Sequence, residues 1–324
     1  MNSTVAVIVC AHLSERAQQL TEAVASLRLQ SREPDEIVVV VDGNAQLASY
    51  VRDTVKGITL VELPGRAGLA VARNEGVRSC SSHVILFLDD DALADALWVE
   101  LLAAAVEEPG VLGASGASLP LWDAQRPVWL ADEFLWTLGC SYAGQPVRRA
   151  RVRNVYGGCC GLRRELFTEL GGYDRRLGRS EASAGGGEEA ELCLRAQERW
   201  PDCAFVYEPL AQIRHHVPAS RLTMKYVLRR AFDEGRMKAT VAWLHRGGLS
   251  PEVRFAYRLP MAIVRDLGCL GRGQVRGVAR ACGSLLVGSA VVLGLVVGRR
   301  SRIDQIPEVT TPANVNELER VAAT

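Results

Sequence analysis

With 324 residues, 38 basic against 37 acidic side chains and a formal net charge of +1, the chain has room for one large α/β domain plus an appendage and a substantial core. So even a balance leaves no overall basic excess for phosphates, and no nucleic-acid partner is expected. Nine cysteines without a CxxC pair argue against a zinc ribbon, and their odd number against a secreted disulfide framework, which makes a reducing cytoplasm the expected setting.

The stretch MNSTVAVIVC lacks the basic region of a signal peptide, and its short β-branched run predicts a first strand over 5–10. A helix over 17–29, a strand over 36–41, a helix over 47–55 and a short strand over 58–62 follow, in the alternation that builds a parallel sheet with helices on its faces. The glycine-bearing loop GRAGLAVARNEG turns into a helix ending near Cys80, and 84–88 is the next strand. These apolar runs predict strands buried on both faces. An alanine-rich helix over 97–106 precedes VLGASGASLP, which resembles a strand entering a loop. Residues 119–142 read as irregular, with Trp122, Trp129 and Trp136 beside Asp132 and Glu133, and 148–153 is basic. Helices over 164–170 and 189–199 and a last strand over 203–207 close this part, and no internal repeat is visible.

After Ser220 the chain becomes basic and helical. Lys225 and Arg229 lie one turn apart, and Arg272, Arg276 and Arg280 recur on one helix face. The uncharged segment 281–298 would reach about 27 Å as a helix against a hydrocarbon core of about 30 Å, so a spanning helix, an interfacial segment and a buried core helix all remain open. The expected organisation is a catalytic domain over 1–220, a basic helical membrane-proximal extension over 221–280, the apolar helix over 281–298 and a polar tail over 299–324.

In HVILFLDDDA three aspartates follow five apolar residues at the carboxyl end of a parallel strand, where open α/β sheets place their ligands. Extended backbone would aim Asp89 and Asp91 to one side and Asp90 away, a two-pronged acidic site suited to a hard divalent cation; an acidic solvated loop is the competing explanation. Asp42 ends another strand just before the turn signal Gly43-Asn44, so it either shapes the turn or accepts hydrogen bonds from a nucleoside. In GGGEEAELCLR, Glu188, Glu189 and Glu191 open a helix. The helix dipole alone explains acids there, whereas a glycine lead-in and a like-charged neighbour would suit one of them to general-base work. Of His215 and His216, adjacent on a strand, at most one can reach a given site. The three tryptophans either stack on sugar or pack beneath a long loop.

Taken in order, VAVIVCAHLSER, DEIVVVVDGN, GLAVARNEG, VILFLDDDA, NVYGGCCGLRRELF with GGYD, GGGEEAELCLR and IRHHVPASR resemble the family 2 glycosyltransferases over residues 4–240. LGCSYAGQPV and the EExELC signature are most similar to a subgroup containing glucuronosyltransferases that act on polyprenyl-linked sugars. The resemblance implies a GT-A fold of the α/β class, a mostly parallel, Rossmann-like central sheet flanked by helices, with the basic and apolar helices as a C-terminal extension. It implies that Asp42 binds the nucleotide base and Arg73 lies near the diphosphate. It also implies that Asp89, with Asp90 beside it, meets the nucleotide, and that Asp89, Asp91 and His215 hold Mn²⁺ or Mg²⁺, Asp91 most directly. Glu189 falls on the family's base, with Glu188 as its rival. Ala11 and His12 stand where the family usually has the threonine and tyrosine of the nucleobase pocket.

The function implied is inverting, metal-dependent transfer from a nucleotide-diphosphate sugar, expected to be UDP-linked, to a hydroxyl of a glycan or polyprenyl-linked acceptor. The arginine-rich extension adds an expectation of anionic membrane lipids as partners and of attachment, single-pass or not, to the inner face of the plasma membrane. Two rivals stay open: a catalytically degenerate scaffold of the same fold at the membrane, and a sugar-phosphate nucleotidyltransferase. The second would be expected to carry a glycine-rich loop after the first strand, where CAHLSERAQQ has none.

Overall fold

The structure is a computed structural model that describes residues 3–178, 186–245, 250–268 and 276–299. The first half alternates as the apolar runs predict: β1 (Val5–Ala11), α1 (Ala17–Leu27), β2 (Glu36–Asp42), α2 (Ala45–Thr54), β3 (Thr59–Leu63), α3 (Leu69–Arg78) and β4 (Val84–Asp89). Next come β5 (Ala92–Ala94), α4 (Trp98–Glu107), β6 (Val111–Trp122), β7 (Ala150–Val152), β8 (Cys159–Arg163), α5 (Glu165–Thr168), α6 (Glu188–Arg199) and β9 (Ala204–Val217). Three helices follow, α7 (Met224–Leu244), α8 (Ser250–Gly268) and α9 (Arg276–Gly298).

One sheet runs β3-β2-β1-β4-β8-β6-β9-β5, with β7 paired to β9. Its first four strands are all parallel, whereas β8 is antiparallel to both its neighbours and β5 is antiparallel to β9. The period of two along β1 sorts the core: Val5, Val7 and Val9 pack with Leu20 and Val24 of α1, Val51 of α2 and Leu102 of α4. Ala6 and Ile8 face the other way, onto Ala72 and Val77 of α3 and Leu192 and Ala196 of α6. Each such Val or Leu contributes about 1.5–3 kcal/mol by leaving water. That two-sided burial holds the carboxyl ends of β1, β2 and β4 along one rim.

The second half departs from the expectation. The last strand extends ten residues past Tyr207, to Val217, and 119–122 continues β6 rather than opening an irregular region. Pro209 disguises this because proline cannot donate to a ladder, yet it sits where the β6–β9 register shifts, between the Ser115–Tyr207 and Ala117–Gln212 pairs. Within the expected irregular stretch lies a 3₁₀ turn, Asp132–Leu138. Trp122, Trp129 and Trp136 all pack on a third apolar cluster with Val227 and Ala231 of α7 and Val287 of α9, so packing accounts for them.

Arg276 and Arg280 belong to the same helix as 281–298, while Arg272 and residues 300–324 lie outside the described residues. Close approach fixes α9 against α7. A side chain at Gly235 would overlap Val291 of α9, and one at Gly294 would overlap the Phe232 carbonyl. Small residues at these crossings let the two backbones touch.

Candidate active site

β4 ends at Asp89, after which the chain turns through Asp90 and Asp91 into the three-residue β5. That strand pairs Ala92 with His215 of β9, and the His216 amide donates to the Asp91 carbonyl at 2.8 Å. The pairing aims the His215 imidazole back at the acids: Nε2 lies 3.2 Å from Asp91 Oδ1 and 4.0 Å from Asp89 Oδ2. Asp89, Asp91 and His215 each offer a ligand atom, all within 4.8 Å of one another. Two hard carboxylates and an imidazole on one side of a rigid rim fit Mn²⁺ or Mg²⁺.

Two arginines make the aspartate run tolerable inside the protein. Arg16 Nη1 is 2.7 Å from Asp90 Oδ1 and 2.9 Å from Asp91 Oδ2, and Arg221 Nη2 is 3.5 Å from the latter. Burial would raise the Asp91 carboxyl, but His215, Arg16 and Arg221 outweigh it and hold the group well below the usual carboxylate range. Burial would likewise lower His215, yet the facing Asp91 and Asp89 carboxylates push it up to about 10. Asp90 goes upward, through burial and the Asp91 charge, against the pull of Arg16. The backbone is a turn and not extended at Asp90 and Asp91, and the partner of Asp90 is a protein cation, Arg16. Arg16 and Arg221 carried no assignment in the sequence; their one signal was position, each a few residues past a strand end at this rim.

Asp42 is buried at the end of β2 with both carboxylate oxygens engaged, Oδ1 by the Ala67 amide at 2.7 Å and Oδ2 by the Gly68 amide at 3.0 Å. It shapes the loop before α3. Ala11 is buried in the core, so its side chain offers nothing to stack on and only its backbone borders the rim. His12 is half-buried beside it, held low by burial and then by the Arg66 and Arg16 charges. Asn44 caps α2 through the Leu47 amide and donates to the His12 carbonyl, both at 2.9 Å.

Across the rim, Glu188 and Glu189 open α6 after Gly187, whose φ of 97° needs a residue without Cβ. Arg73 Nη1 reaches Glu188 Oε1 at 3.0 Å and Glu189 Oε1 at 2.7 Å, and its Nη2 lies 3.9 Å from Asp89. The guanidinium carbon lies 5.5 and 5.6 Å from the ring centroids of Phe87 and Tyr173, which meet each other edge to face at 5.7 Å. Buried but enclosed by carboxylates, it stays charged, its pKa pushed well above the ordinary value. Glu188 is the buried member of the pair, its side chain 2% exposed, and Glu189 the accessible one at 17%. Gly157 and Gly158 form the floor between the two groups of acids: a Cβ on the first would overlap Glu189 Oε1, and on the second Asp89 Oδ2. YGG was legible as a motif, but its steric role was not.

Asp89, Arg73, Glu188 and Glu189 line one end of a cavity of about 410 Å³ that continues past Arg153 and Tyr156 to α7 and α9. The sequence model of Glycosyl transferase family 2 matches residues 6–171, just over half of the chain. The chain belongs to this family. The matched span contains Asp42, Arg73 and Asp89 to Asp91 and stops before Glu188 and His215. A family 2 relative, the glucosyl-dolichyl phosphate glucuronosyltransferase of Haloferax volcanii, is 31% identical over 74% of this chain and 78% of its own. The pre-mycofactocin glycosyltransferase of Mycobacterium tuberculosis is 25% identical over 85% of this chain, which spans little more than half, 56%, of that relative. Among solved structures, a mannosyltransferase from Pyrobaculum calidifontis, determined with GDP-Man and Mn²⁺, superposes with a TM-score of 0.58 at 20% identity, covering 91% of this chain and 88% of its own. The fold of this family 2 chain is thus GT-A.

Proposed function

We propose that the chain transfers a sugar, with inversion, from a nucleotide-diphosphate donor to a hydroxyl of a polyprenyl-linked or other glycan acceptor. One observation carries the reading: Asp89, which gathers with Asp91 and His215, lines the same cavity as Glu189 of the facing helix. Asp89, Asp91 and His215 would hold Mn²⁺ or Mg²⁺, which when bound offsets charge building on the diphosphate leaving group. The remaining work falls to side chains of the chain itself. Glu189, ion-paired to Arg73 and accessible, takes the proton of the acceptor hydroxyl. The freed oxygen attacks the anomeric carbon as the bond to the diphosphate oxygen breaks, the electron pair leaving with that oxygen. A single displacement of this kind inverts the centre and needs no sugar-enzyme bond. Arg73, held between Glu189 and Asp89, positions the base relative to the leaving group.

The named relative supports a glucuronosyl donor and a lipid-linked acceptor, since its printed activity joins a glucuronosyl group to a glucosylated dolichyl phosphate. The apolar α9 supports work at a membrane, and the inner face of the plasma membrane is the side proposed here. Thermal unfolding of the detergent-solubilised protein with UDP, GDP and dTDP, each with and without Mn²⁺ and beside Asp91→Ala, tests the proposal. A nucleotide at 100 times its Kd stabilises by about 2.7 kcal/mol. The expected result is that UDP acts only with Mn²⁺ and that the variant loses the effect. No stabilisation by any nucleotide would leave a degenerate scaffold as the better reading.

A further inference from the structure

Helix α9 is amphipathic in the reverse of the soluble sense. Leu285, Leu286, Val292, Leu293, Val296 and Val297 are between 37 and 59% exposed and, with the exposed Ser289 between them, fall on one outward stripe. Arg276 and Arg280 stand at one end of the helix and Arg299 just past the other. Its inward stripe is pressed on protein for most of its length: Gly283 against the Trp129 carbonyl, Gly294 against that of Phe232 and Gly298 against that of Arg236. From Gly283 to Gly298 that contact runs about 22 Å. Behind it, α7 carries ion pairs of Glu234 with Arg230 and Lys238. An α9 that crossed a bilayer would carry this charged helix into the hydrocarbon alongside it, where such groups are costly.

Val292 belongs both to the outward stripe and to the wall of the cavity that Asp89 and Glu189 also line. Leu259 of α8 and Leu295 of α9 belong to the same wall. Part of the apolar stripe thus borders the cavity of the candidate site.

We infer that α9 lies flat in one leaflet of an anionic bilayer, its outward stripe among the acyl chains, and that the opening at Leu259, Val292 and Leu295 admits a lipid-linked acceptor sideways from that leaflet. The second half of this statement rests on the acceptor class proposed above; the first does not. The partner is a lipid surface because the stripe is apolar but for Ser289 while arginines flank it, which suits acyl chains between anionic headgroups. A polyprenyl chain can stay in the leaflet while its sugar reaches Glu189.

The full-length chain is added to preformed vesicles of phosphatidylcholine with phosphatidylglycerol, as the Arg276→Cys or Arg299→Cys variant in a Cys282→Ser background. A membrane-impermeant thiol reagent then modifies the outside, and peptide mass spectrometry reads the labelled position. Both ends are expected to label without detergent; an end that labels only after detergent shows a spanning helix and overturns the proposal. Leu286→Glu with Leu293→Glu should weaken vesicle co-sedimentation about ten-fold or more while leaving the Mn²⁺-dependent nucleotide stabilisation unchanged. Val292→Trp should raise KM for a polyprenyl-linked acceptor about ten-fold and leave KM for a short water-soluble analogue near its original value; equal effects on both would remove the side opening. Failure to bind vesicles, together with oxidative crosslinking of two copies through Cys282, would make the stripe a self-association surface instead. If both ends label from outside but no nucleotide stabilises the wild type, the transferase reading and the acceptor opening fall while the in-plane helix stands.

Discussion

The strand rim and the helical wall solve opposite problems with the same physics. At the rim, charge is brought inside: Asp90, Asp91, Arg73, Glu188 and His215 are all buried, and each acid faces an arginine or the histidine. At the wall, apolar surface is left outside, on the stripe from Leu285 to Val297. The rim is rigid because β1, β2 and β4 are buried on both faces before they reach it. The wall depends on glycine contacts between two helices. The difference teaches that a buried charge cluster and an exposed apolar stripe are equally departures from a soluble norm: the first has the donor set for a divalent cation, and the second is the surface proposed above to meet acyl chains.

The largest expected effect separates two neighbouring acids within the rim. Glu189→Gln keeps a hydrogen-bonding group beside Arg73 but cannot take a proton, so kcat should fall about 10²–10⁴-fold with little change in nucleotide binding. Glu188→Gln removes a charge from the buried partner of the same arginine, so its main cost should be a lower Tm. Steady-state kinetics and thermal unfolding of both variants decide the assignment. A collapse of kcat confined to Glu188→Gln would reverse the roles. Next in size is Gly157→Ala, whose Cβ must displace the Glu189 carboxylate. A shift of about 1 Å in a catalytic group costs about 10²-fold in rate. Turnover should drop while the Tm stays near that of the wild type, and unchanged turnover would remove Gly157 from the site.

How much of this was legible follows the same division. The parallel strands were, because β-branched runs such as IVVVV have no other comfortable home, and so were the acids at their carboxyl ends, through the rule that places ligands there. His215 was legible through the family resemblance and only weakly by itself, since what delivers it is β5, a strand of three residues with no pattern to detect. Arg16 and Arg221 carried no reading, because nothing local marks an arginine as the partner of an acid some seventy residues or more away. Asp42 shows a competition that both readings could enter: its two oxygens are spent on backbone amides of the loop before α3. The apolar segment 281–298 was visible from composition alone, but composition cannot say which stripe faces protein. The protein folded against it, α7 and the segment at Trp129, distinguishes the stripes.

The wall can be loosened without touching the rim. Gly294→Leu would force α9 off the Phe232 carbonyl, and overpacking of this kind costs about 1–3 kcal/mol. The expected outcome is a lower Tm and weaker retention on vesicles, with the Mn²⁺-dependent nucleotide response intact. Loss of that response would mean that the two regions are mechanically coupled rather than merely adjacent.

The smallest effect concerns the far end of the sheet from the rim. Glu36 opens β2 and ties down the turn before β4, accepting from the Ser82 amide at 2.8 Å, the Ser82 hydroxyl at 2.6 Å and the Ser81 amide at 2.9 Å. Its burial works against ionisation, but the Ser82 and Ser81 hydrogen bonds win and hold the carboxyl below its ordinary 4.5. A folded-state value below the unfolded one means that the unfolded chain binds the proton more readily, so the contribution is whole above pH 4.5 and is lost as the pH falls through the folded value. Because the group is half-buried and solvent still reaches it, the amount is small. Denaturant titrations across acid pH should show Glu36→Gln with a shallower loss of stability below pH 4.5 than the wild type, and with a nucleotide response at neutral pH that is the same. Parallel acid limbs would mean that the serine hydrogen bonds persist in the unfolded chain, and the turn before β4 would then owe its shape to the strand pairing alone.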